Sequence, residues 1–416
     1  MKKLGFRNFM VFFILSATVA IAYQIPYLRY TFYDQMMTAL GLNNTQMGML
    51  ATAVNLVSTL SYPIGGILAD RFSTRNLFIV TLGSFVILTI AFAFTTNYPV
   101  LLVIHALYGF FSIATLWSAY LNGIRSLGNE KNQSTIFGSS EATRGIVQTL
   151  CGFLFLGIVG AIASPALGIR TMLLVAAGII FVLLVLTFIF IPKEDKTADA
   201  ANGEEEKFSM VDVLKNPGVW ITIFLIMGAF MTWSLGNGYL TTYTVQVLKI
   251  SPSLATTLGI VRSYIIVFVA GFLGGFVMDR FTYKGNGLMI ILICIIACVA
   301  GVMTTSKVVP LCIGLSLLTA FFANVIKSTY WSVMEQAGIP AKMTAIATGI
   351  ISFVAFIPDF VVAPICGKWI DKATEAGNVA AGFDKIFILM IVFAIVGIIS
   401  GFLLVRRTKQ IQKVSE

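Results

Sequence analysis

The chain has 416 residues, 58% of them hydrophobic and only 11% charged, with a net charge of +10. An ordinary soluble domain is about 45–50% apolar and about 25% charged, so too little polar surface remains here to cover a water-soluble globule. Hydrocarbon is the expected solvent, and the basic balance is a matter of membrane topology, with no nucleic-acid partner expected.

Runs of about 20 apolar residues are long enough to cross a bilayer as helix. Twelve such runs follow one another, at approximately 9–28, 46–66, 76–96, 99–121, 135–160, 169–191, 218–240, 255–278, 286–305, 309–333, 343–367 and 385–405. They are continuously apolar, without the two-residue alternation of barrel strands, which selects helices. The expected fold is an all-α integral membrane protein with twelve transmembrane helices. The basic start and Ala20-x-Ala22 imitate a secretory signal. With eleven spans following, the first run is expected to remain as a helix.

The first half carries GGILADRF at 65–72, at the end of the second span; it returns as GGFVMDRF at 274–281, at the end of the eighth. A weaker echo, LWSAYLNGIRS (116–126) and TYWSVMEQAGI (329–339), ends the fourth span of each half. Between the halves lies PKEDKTADAANGEEEKFSMVDVLKNPG at 192–218, charged and rich in small residues. The chain therefore reads as an internal duplication: an N-terminal six-helix bundle over 1–191, a linker over 192–217 and a C-terminal six-helix bundle over 218–416. In the repeat, Gly65, Gly66, Gly274 and Gly275 let helices approach closely, and Asp70, Arg71, Asp279 and Arg280 stop the spans with charge.

Of the 28 Lys and Arg, 18 fall in the tails and in loops on the linker's side, from Lys2, Lys3 and Arg7 to Arg406, Arg407, Lys409 and Lys413. Six fall on the other side: Arg170, Lys249, Lys307, Lys368, Lys372 and Lys385. This asymmetry puts the linker and both termini in the cytoplasm and draws the basic face to anionic lipid.

The remaining four cations lie within spans: Arg29 at the outer part of the first, Arg144 in the fifth, Arg262 in the eighth and Lys327 in the tenth. Only Glu141 and Asp359 are acids at similar depth. Such charges cost roughly 2.5–3.5 kcal/mol each on insertion scales, so they are candidates for function. The cationic surplus suits an anionic partner. Glu141 and Arg144, three residues apart, share a helix face; they form either a private ion pair or a pair that a substrate opens, releasing a carboxylate for a proton. Snorkelling to an interface is the structural alternative for Arg29 and Lys327. Tyr23, Tyr27, Trp117, Trp233, Tyr239, Tyr243, Tyr264 and Trp331 suit stacking on a substrate or packing at the membrane interface. His105 is expected to be packed. The five cysteines (Cys151, Cys294, Cys298, Cys312 and Cys366) lack metal or disulfide spacing. No phosphate-cradling GxxxxGK[ST] occurs, nor any nucleophile–base–metal constellation, so neither cofactor nor enzymatic activity is expected.

The segment Gly66–Arg75, G-x-L-A-D-R-x-x-x-R, is similar to the loop 2–3 signature of the major facilitator superfamily. It departs at Ser73, where the family commonly has Gly, and at Thr74, where it has Arg or Lys. The resemblance implies two bundles that rock around a central site. It also implies a cytoplasmic gate made by Gly66, Asp70, Arg71, Arg75, Gly275, Asp279 and Arg280. The stretch PYLRYTFYDQMMTALGLNNTQMGMLATAV at 26–54 resembles the first helix and loop of the organophosphate:phosphate antiporter group, with Arg29 at the position of that group's helix 1 arginine. The group's helix 5 histidine falls near Arg144, and MEQAGIPAKMTAIATG (334–349) resembles its loop 10–11. Its second arginine, in helix 7, is Trp233 here, and Arg262, one helix later, is the candidate substitute.

The resemblance thus implies a monomeric secondary carrier in the bacterial cytoplasmic membrane, with a small organic anion (sugar phosphate, sugar acid or other carboxylate or sulfonate) as its substrate. Anion exchange or proton coupling drives it. Arg29, Arg144, Arg262, Lys327, Trp233 and Tyr264 are the expected substrate contacts, and Glu141 and Asp359 the expected proton carriers. A drug or lipid exporter would favour a more acidic or wholly apolar cavity. A transporter-like ligand receptor is the other alternative.

Overall fold

A computed structural model describes residues 5–127, 133–192, 210–340 and 343–415. Lys2, Lys3 and most of the 192–217 linker lie outside the described residues, as does the side chain of Asp70. Among the described residues twelve helices are long and apolar enough to cross a membrane, and there is no strand. The chain divides into two compact units, Met1–Gly203 and Glu204–Glu416.

The first unit contains α1 (Phe6–Gln24), α2 (Arg29–Leu40), α3 (Asn44–Arg71), α4 (Thr74–Phe94), α5 (Tyr98–Phe110), α6 (Ser118–Ser126), α7 (Gln133–Ala161) and α8 (Pro165–Phe190). A π-helical segment, Phe111–Trp117, joins α5 to α6 within one continuous span. The second unit contains α9 (Met210–Lys215), α10 (Pro217–Gln246), α11 (Pro252–Ile260), α12 (Ile266–Met278), α13 (Lys284–Thr304), α14 (Val309–Thr329), α15 (Thr344–Glu375) and α16 (Val379–Ser415). Here the π segment is Val261–Ile265, between α11 and α12.

The helix starts follow from the residues that precede them. A side-chain oxygen before the first turn accepts one of the backbone N–H groups that have no intrahelical partner. Asn43 does this for Gln46 in a reciprocal capping box at α3, and Ser73, Asn97 and Ser164 cap α4, α5 and α8. In the second unit Asn216 and Ser251 cap α10 and α11, each directly before a proline. Each unit has its own apolar core, with Phe78, Phe85 and Phe155 in one and Phe383 and Phe387 in the other fully buried. Large apolar side chains such as Ile87 and Phe276 point outward, as lipid contact requires.

The first span differs from a single run over 9–28. Helix α1 stops at Gln24, where Pro26 removes a donor from the helical ladder. The chain turns through Ile25–Leu28 and resumes as α2, which carries a kink at Phe32 (φ −112°, ψ 31°). Arg29 is therefore the first residue of a separate short helix. The last span also exceeds its apolar run: α16 has 37 residues, about 55 Å of helix against a hydrocarbon core of about 30 Å.

The repeated glycine pair keeps its equivalence in three dimensions. A Cβ on Gly65 would lie 2.8 Å from the Ile113 carbonyl oxygen and 3.5 Å from Ser118 Oγ. A Cβ on Gly274 would lie 3.1 Å from Ser328 Oγ and 3.2 Å from Val325 Cγ1. In both units the second span thus meets the fourth at the first glycine of the pair. Gly66 and Gly275 would meet nothing within 4 Å, so close helix approach belongs to one glycine of each pair and not to both.

Candidate functional site

In the first unit Arg144 and Glu141 form an ion pair along one face of α7, the guanidinium side chain 16% exposed and the carboxylate 62%. The guanidinium carbon lies 5.9 Å from the ring centroids of both Tyr23 and Tyr120. Tyr23 meets Trp117 edge-on at 5.9 Å, and Trp117 in turn tilts against Tyr120 at 5.7 Å. A hydrogen bond fixes one of these rings, Tyr120. Tyr120 shares Ser140 Oγ with Ser16, at 2.8 and 2.7 Å. Gln24 donates to the Gln148 carbonyl at 2.9 Å, and Gln148 donates back to Ala20 at 3.1 Å. Helices α1 and α7 are thereby bolted together on either side of the cation, whose charge is spread over polarisable aromatic faces.

Arg29 lies in a second aromatic cluster. It is 5% exposed, which sets aside snorkelling to an interface. Its guanidinium carbon is 5.6 Å from the Tyr33 ring and 5.9 Å from the Tyr30 ring. Tyr30 stacks on Tyr27 at 5.4 Å, and the Tyr27 hydroxyl donates to Asn55 Oδ1 at 2.8 Å. His105 is packed as expected. It is buried, its Nδ1 lies 2.8 Å from the Leu101 carbonyl oxygen, and Phe92 meets it edge-on at 5.2 Å.

In the second unit the site residues are arranged along α10. Trp233, Asn237 and Thr241 are four residues apart and so occupy one helix face. At the first level the Lys327 ammonium sits over the Trp233 ring, 3.1 Å from its centroid. The indole N–H donates to Asn324 Oδ1 at 2.9 Å. One turn on, Asn237 Oδ1 accepts from Ser263 at 3.4 Å. Another turn on, Thr241 accepts from Arg262 Nη2 at 2.6 Å, and Ser316 accepts from Nη1 at 3.5 Å. Arg262 is only 1% exposed. It and the buried Tyr264 belong to the π segment, an insertion frequently found at functional sites. On the neighbouring position of α10, Ser234 donates to Asp359, which follows the in-helix Pro358 of α15.

The structure thus joins Arg144 to Glu141, Lys327 to Trp233 and Arg262 to α10, and it places Arg29 in a cluster of its own. At Trp233, where the resemblance loses an arginine, Lys327 from the tenth span supplies a cation. The neutral residues Asn237, Thr241, Ser316, Asn324 and Ser140 are additions that charge-based reading missed. The four-residue spacing of Trp233, Asn237 and Thr241 was the available signal for two of them.

The charged motif shows partners within each unit. Arg75 Nη2 donates to the Phe188 carbonyl at 2.8 Å, with the guanidinium 5.8 Å from the Phe188 ring. A cation there suits the negative C-terminal end of α8. Asp279 pairs with Lys284 at 2.9 Å, and Arg280 lies 4.5 Å from the Phe276 ring. Arg71 is exposed. Among the described residues no group of three or more His, Cys, Asp or Glu is placed to hold a metal ion.

Residues 5–363 match the family model described as Major Facilitator Superfamily. The inner membrane protein YqcE of Escherichia coli (strain K12) is 26% identical over 388 residues, covering 90% of each chain. The inner membrane protein YihN of the same organism is 23% identical over 420 residues, covering 98% of this chain and 97% of the relative. Among solved structures, a bacterial homolog of the human lysosomal transporter Spinster superposes with a TM-score of 0.76 at 14% identity, covering 98% of both chains. The nucleoside transporter NupG does so with a TM-score of 0.74, also at 14% identity, covering 97% of this chain and 99% of that one.

Proposed function

Because the chain belongs to the Major Facilitator Superfamily, a family of membrane transporters and not of enzymes, we propose that it is a secondary carrier of a small organic anion working by alternating access. The observation that carries the anionic substrate is the setting of Arg262. A fully sunk guanidinium donates to two hydroxyls, which are neutral and leave its positive charge in place. Burying a charge is costly unless it is matched, and an anion that matches it when bound explains why it is kept. Arg29, over tyrosine rings, supplies the same chemistry in the N-terminal half. Both arginines engage the substrate's anionic group during the cycle. Arg144 and Lys327 add positive charge, and Trp233 and Tyr264 offer aromatic contact. Sugar phosphates, sugar acids and other carboxylates or sulfonates are the substrate classes this chemistry suits.

Glu141 and Asp359 are the proton carriers in this reading, and anion exchange is the alternative drive. Asp70 with Arg71 and Arg75, and Asp279 with Arg280, act beside Gly66 and Gly275 as the cytoplasmic gate. The bundles over 1–191 and 218–416 rock as a monomer in the bilayer, joined by the 192–217 linker. The inner-membrane description of the two bacterial relatives supports a bacterial cytoplasmic membrane, and the Lys/Arg asymmetry supports cytoplasmic termini.

Purified protein in liposomes tests the carrier reading. Preloaded glucuronate or glucose 6-phosphate will drive counterflow of its labelled form, whereas glucose will not. Binding without counterflow would make the protein a receptor. If Glu141 takes the proton when substrate draws Arg144 away, uptake will rise as the outside is acidified, and Glu141→Gln will flatten that profile. A profile unchanged by Glu141→Gln would pass the role to Asp359 or to anion exchange.

Orientation has a separate test. In a background without native cysteines, a cysteine at position 201 (Ala201→Cys) will be protected in intact cells from a membrane-impermeant thiol reagent and labelled in inverted vesicles. Labelling from outside would reverse the topology.

A further inference from the structure

We propose that the carried anion is polyhydroxylated, and that Trp117, Tyr23 and Glu141 bind its hydroxyl groups in the N-terminal unit. This rests on the anion-carrier reading and narrows it to sugar acids and phosphorylated sugars or polyols.

The three aromatic residues around Arg144 differ in what their polar edges do. Tyr120 is committed to the protein: it is buried, and its hydroxyl shares a hydrogen bond with Ser140 at 2.8 Å. Tyr23 and Trp117 are half-buried. Among the described residues neither the Tyr23 hydroxyl nor the Trp117 indole N–H has a hydrogen-bond partner. Glu141 is the exposed member of the cluster. Arg144 reaches it from Nη1 to Oε1, and Oε2 accepts no hydrogen bond among the described residues.

These groups are contiguous. The Arg144 guanidinium carbon lies 5.9 Å from the Tyr23 ring centroid, and the Tyr23 and Trp117 rings meet edge-on at 5.9 Å. The paired bonds of Gln24 and Gln148 hold α1 on α7, which keeps Tyr23 beside the ion pair. Trp117 closes the π segment Phe111–Trp117, a kind of insertion frequent at functional sites.

A hydroxyl group donates one hydrogen bond and accepts others, and the carbon that bears it offers a C–H face. The cluster holds the complement of each: a carboxylate oxygen that accepts, an N–H and an O–H that donate, and aromatic surface between them. Arg144 cancels the charge of Glu141, so this is a place for the uncharged part of the anion, while Arg29 and Arg262 take the charge. A substrate can use these three groups without breaking any protein hydrogen bond. An alkyl anion strips water from them and returns nothing. A site built to hydrogen-bond hydroxyls therefore rejects the analogue that lacks them. Trp117 and Tyr23 are then specificity-determining residues.

The test uses purified full-length protein and matched pairs of probes: gluconate with hexanoate, and sorbitol 6-phosphate with hexyl phosphate, beside neutral sorbitol. Dissociation constants are read from the concentration dependence of thermal stabilisation. The hydroxylated member of each pair will bind at least about tenfold tighter, since each hydrogen bond is worth roughly three- to tenfold in affinity. Trp117→Phe deletes the N–H and keeps a ring; Tyr23→Phe deletes only the O–H. Each will lower the wild-type ratio roughly three- to tenfold. Because the readout is a ratio within one variant, a general loss of stability does not imitate it.

A wild type without preference for the hydroxylated members, or a ratio unchanged in either variant, would overturn the proposal and leave the anion-carrier reading standing. Sorbitol binding as tightly as the anions would remove the anion reading itself. No response to any of the probes would count against both.

Discussion

Arg262→Met will lose ligand-induced stabilisation and transport while the unliganded protein melts no earlier than the wild type. Methionine approaches the arginine stem in bulk and carries no charge, so the change relieves a buried cation without opening a large void. The hydroxyls of Thr241 and Ser316 lose their donor, but both remain neutral, and Ser316 already donates to the Ile313 carbonyl at 2.8 Å. What disappears is the attraction for the substrate's charge. Opposite charges 4 Å apart at an effective dielectric near 20 interact by roughly 4 kcal/mol before desolvation. Even a third of that is about tenfold in affinity.

Arg262→Lys will also impair binding, because a point charge cannot copy the planar fork that holds Thr241 and grips an oxyanion through two hydrogen bonds. Arg29→Ala will behave likewise. The measurement is thermal stabilisation across charged and neutral compounds. If a neutral sugar stabilises the wild type and Arg29→Ala alike, the anion reading is wrong. If Arg262→Met simply melts early, Arg262 is a packing residue.

The second large effect falls on the repeated glycines and separates the members of each pair. Gly65→Ala will destabilise the protein more than Gly274→Ala, and Gly66→Ala and Gly275→Ala will be close to neutral. At Gly65 the new methyl meets a backbone oxygen at 2.8 Å, and backbone can yield only by moving a whole helix. At Gly274 it meets side-chain atoms at 3.1 and 3.2 Å, which can turn aside. Overpacking of this kind typically costs about 1–3 kcal/mol, so Gly65→Leu should leave little folded protein in the membrane. Melting midpoints and folded yield in detergent decide it. A Gly66→Ala variant as unstable as Gly65→Ala would give the second glycine a packing role that its own unit does not supply.

Gly65 and Gly274 pack inside each unit, whereas Gly66 and Gly275 are exposed or half-exposed, which leaves these two for the gate proposed above.

Much of this protein was determined by sequence alone, because the information needed is local. Whether a stretch prefers hydrocarbon is a sum over its own residues, so the run at 309–333 is the span Val309–Val333 and the run at 286–305 is Lys284–Thr304 within two residues. The helix caps at Asn43 and Ser73 and the Glu141–Arg144 pair are equally local, since i and i+3 meet on any helix, and the repeated motif needs only a comparison of one half of the sequence with the other. Pro26 was legible too, as a residue without an N–H, although apolarity carried the expected run across it.

Only the tertiary structure decided what the other deep charges touch. A helix that is apolar on every side has no polar face to orient it, so its rotation is set by packing against neighbours. That rotation puts Lys327 on Trp233, Arg262 on Thr241 and Asp359 on Ser234, pairs separated by at least 21 residues in the chain. The π segment at Val261–Ile265 adds a further turn that no hydropathy pattern encodes. It is this rotational freedom, absent from any one-dimensional reading, that converted scattered intramembrane charges into a column along α10.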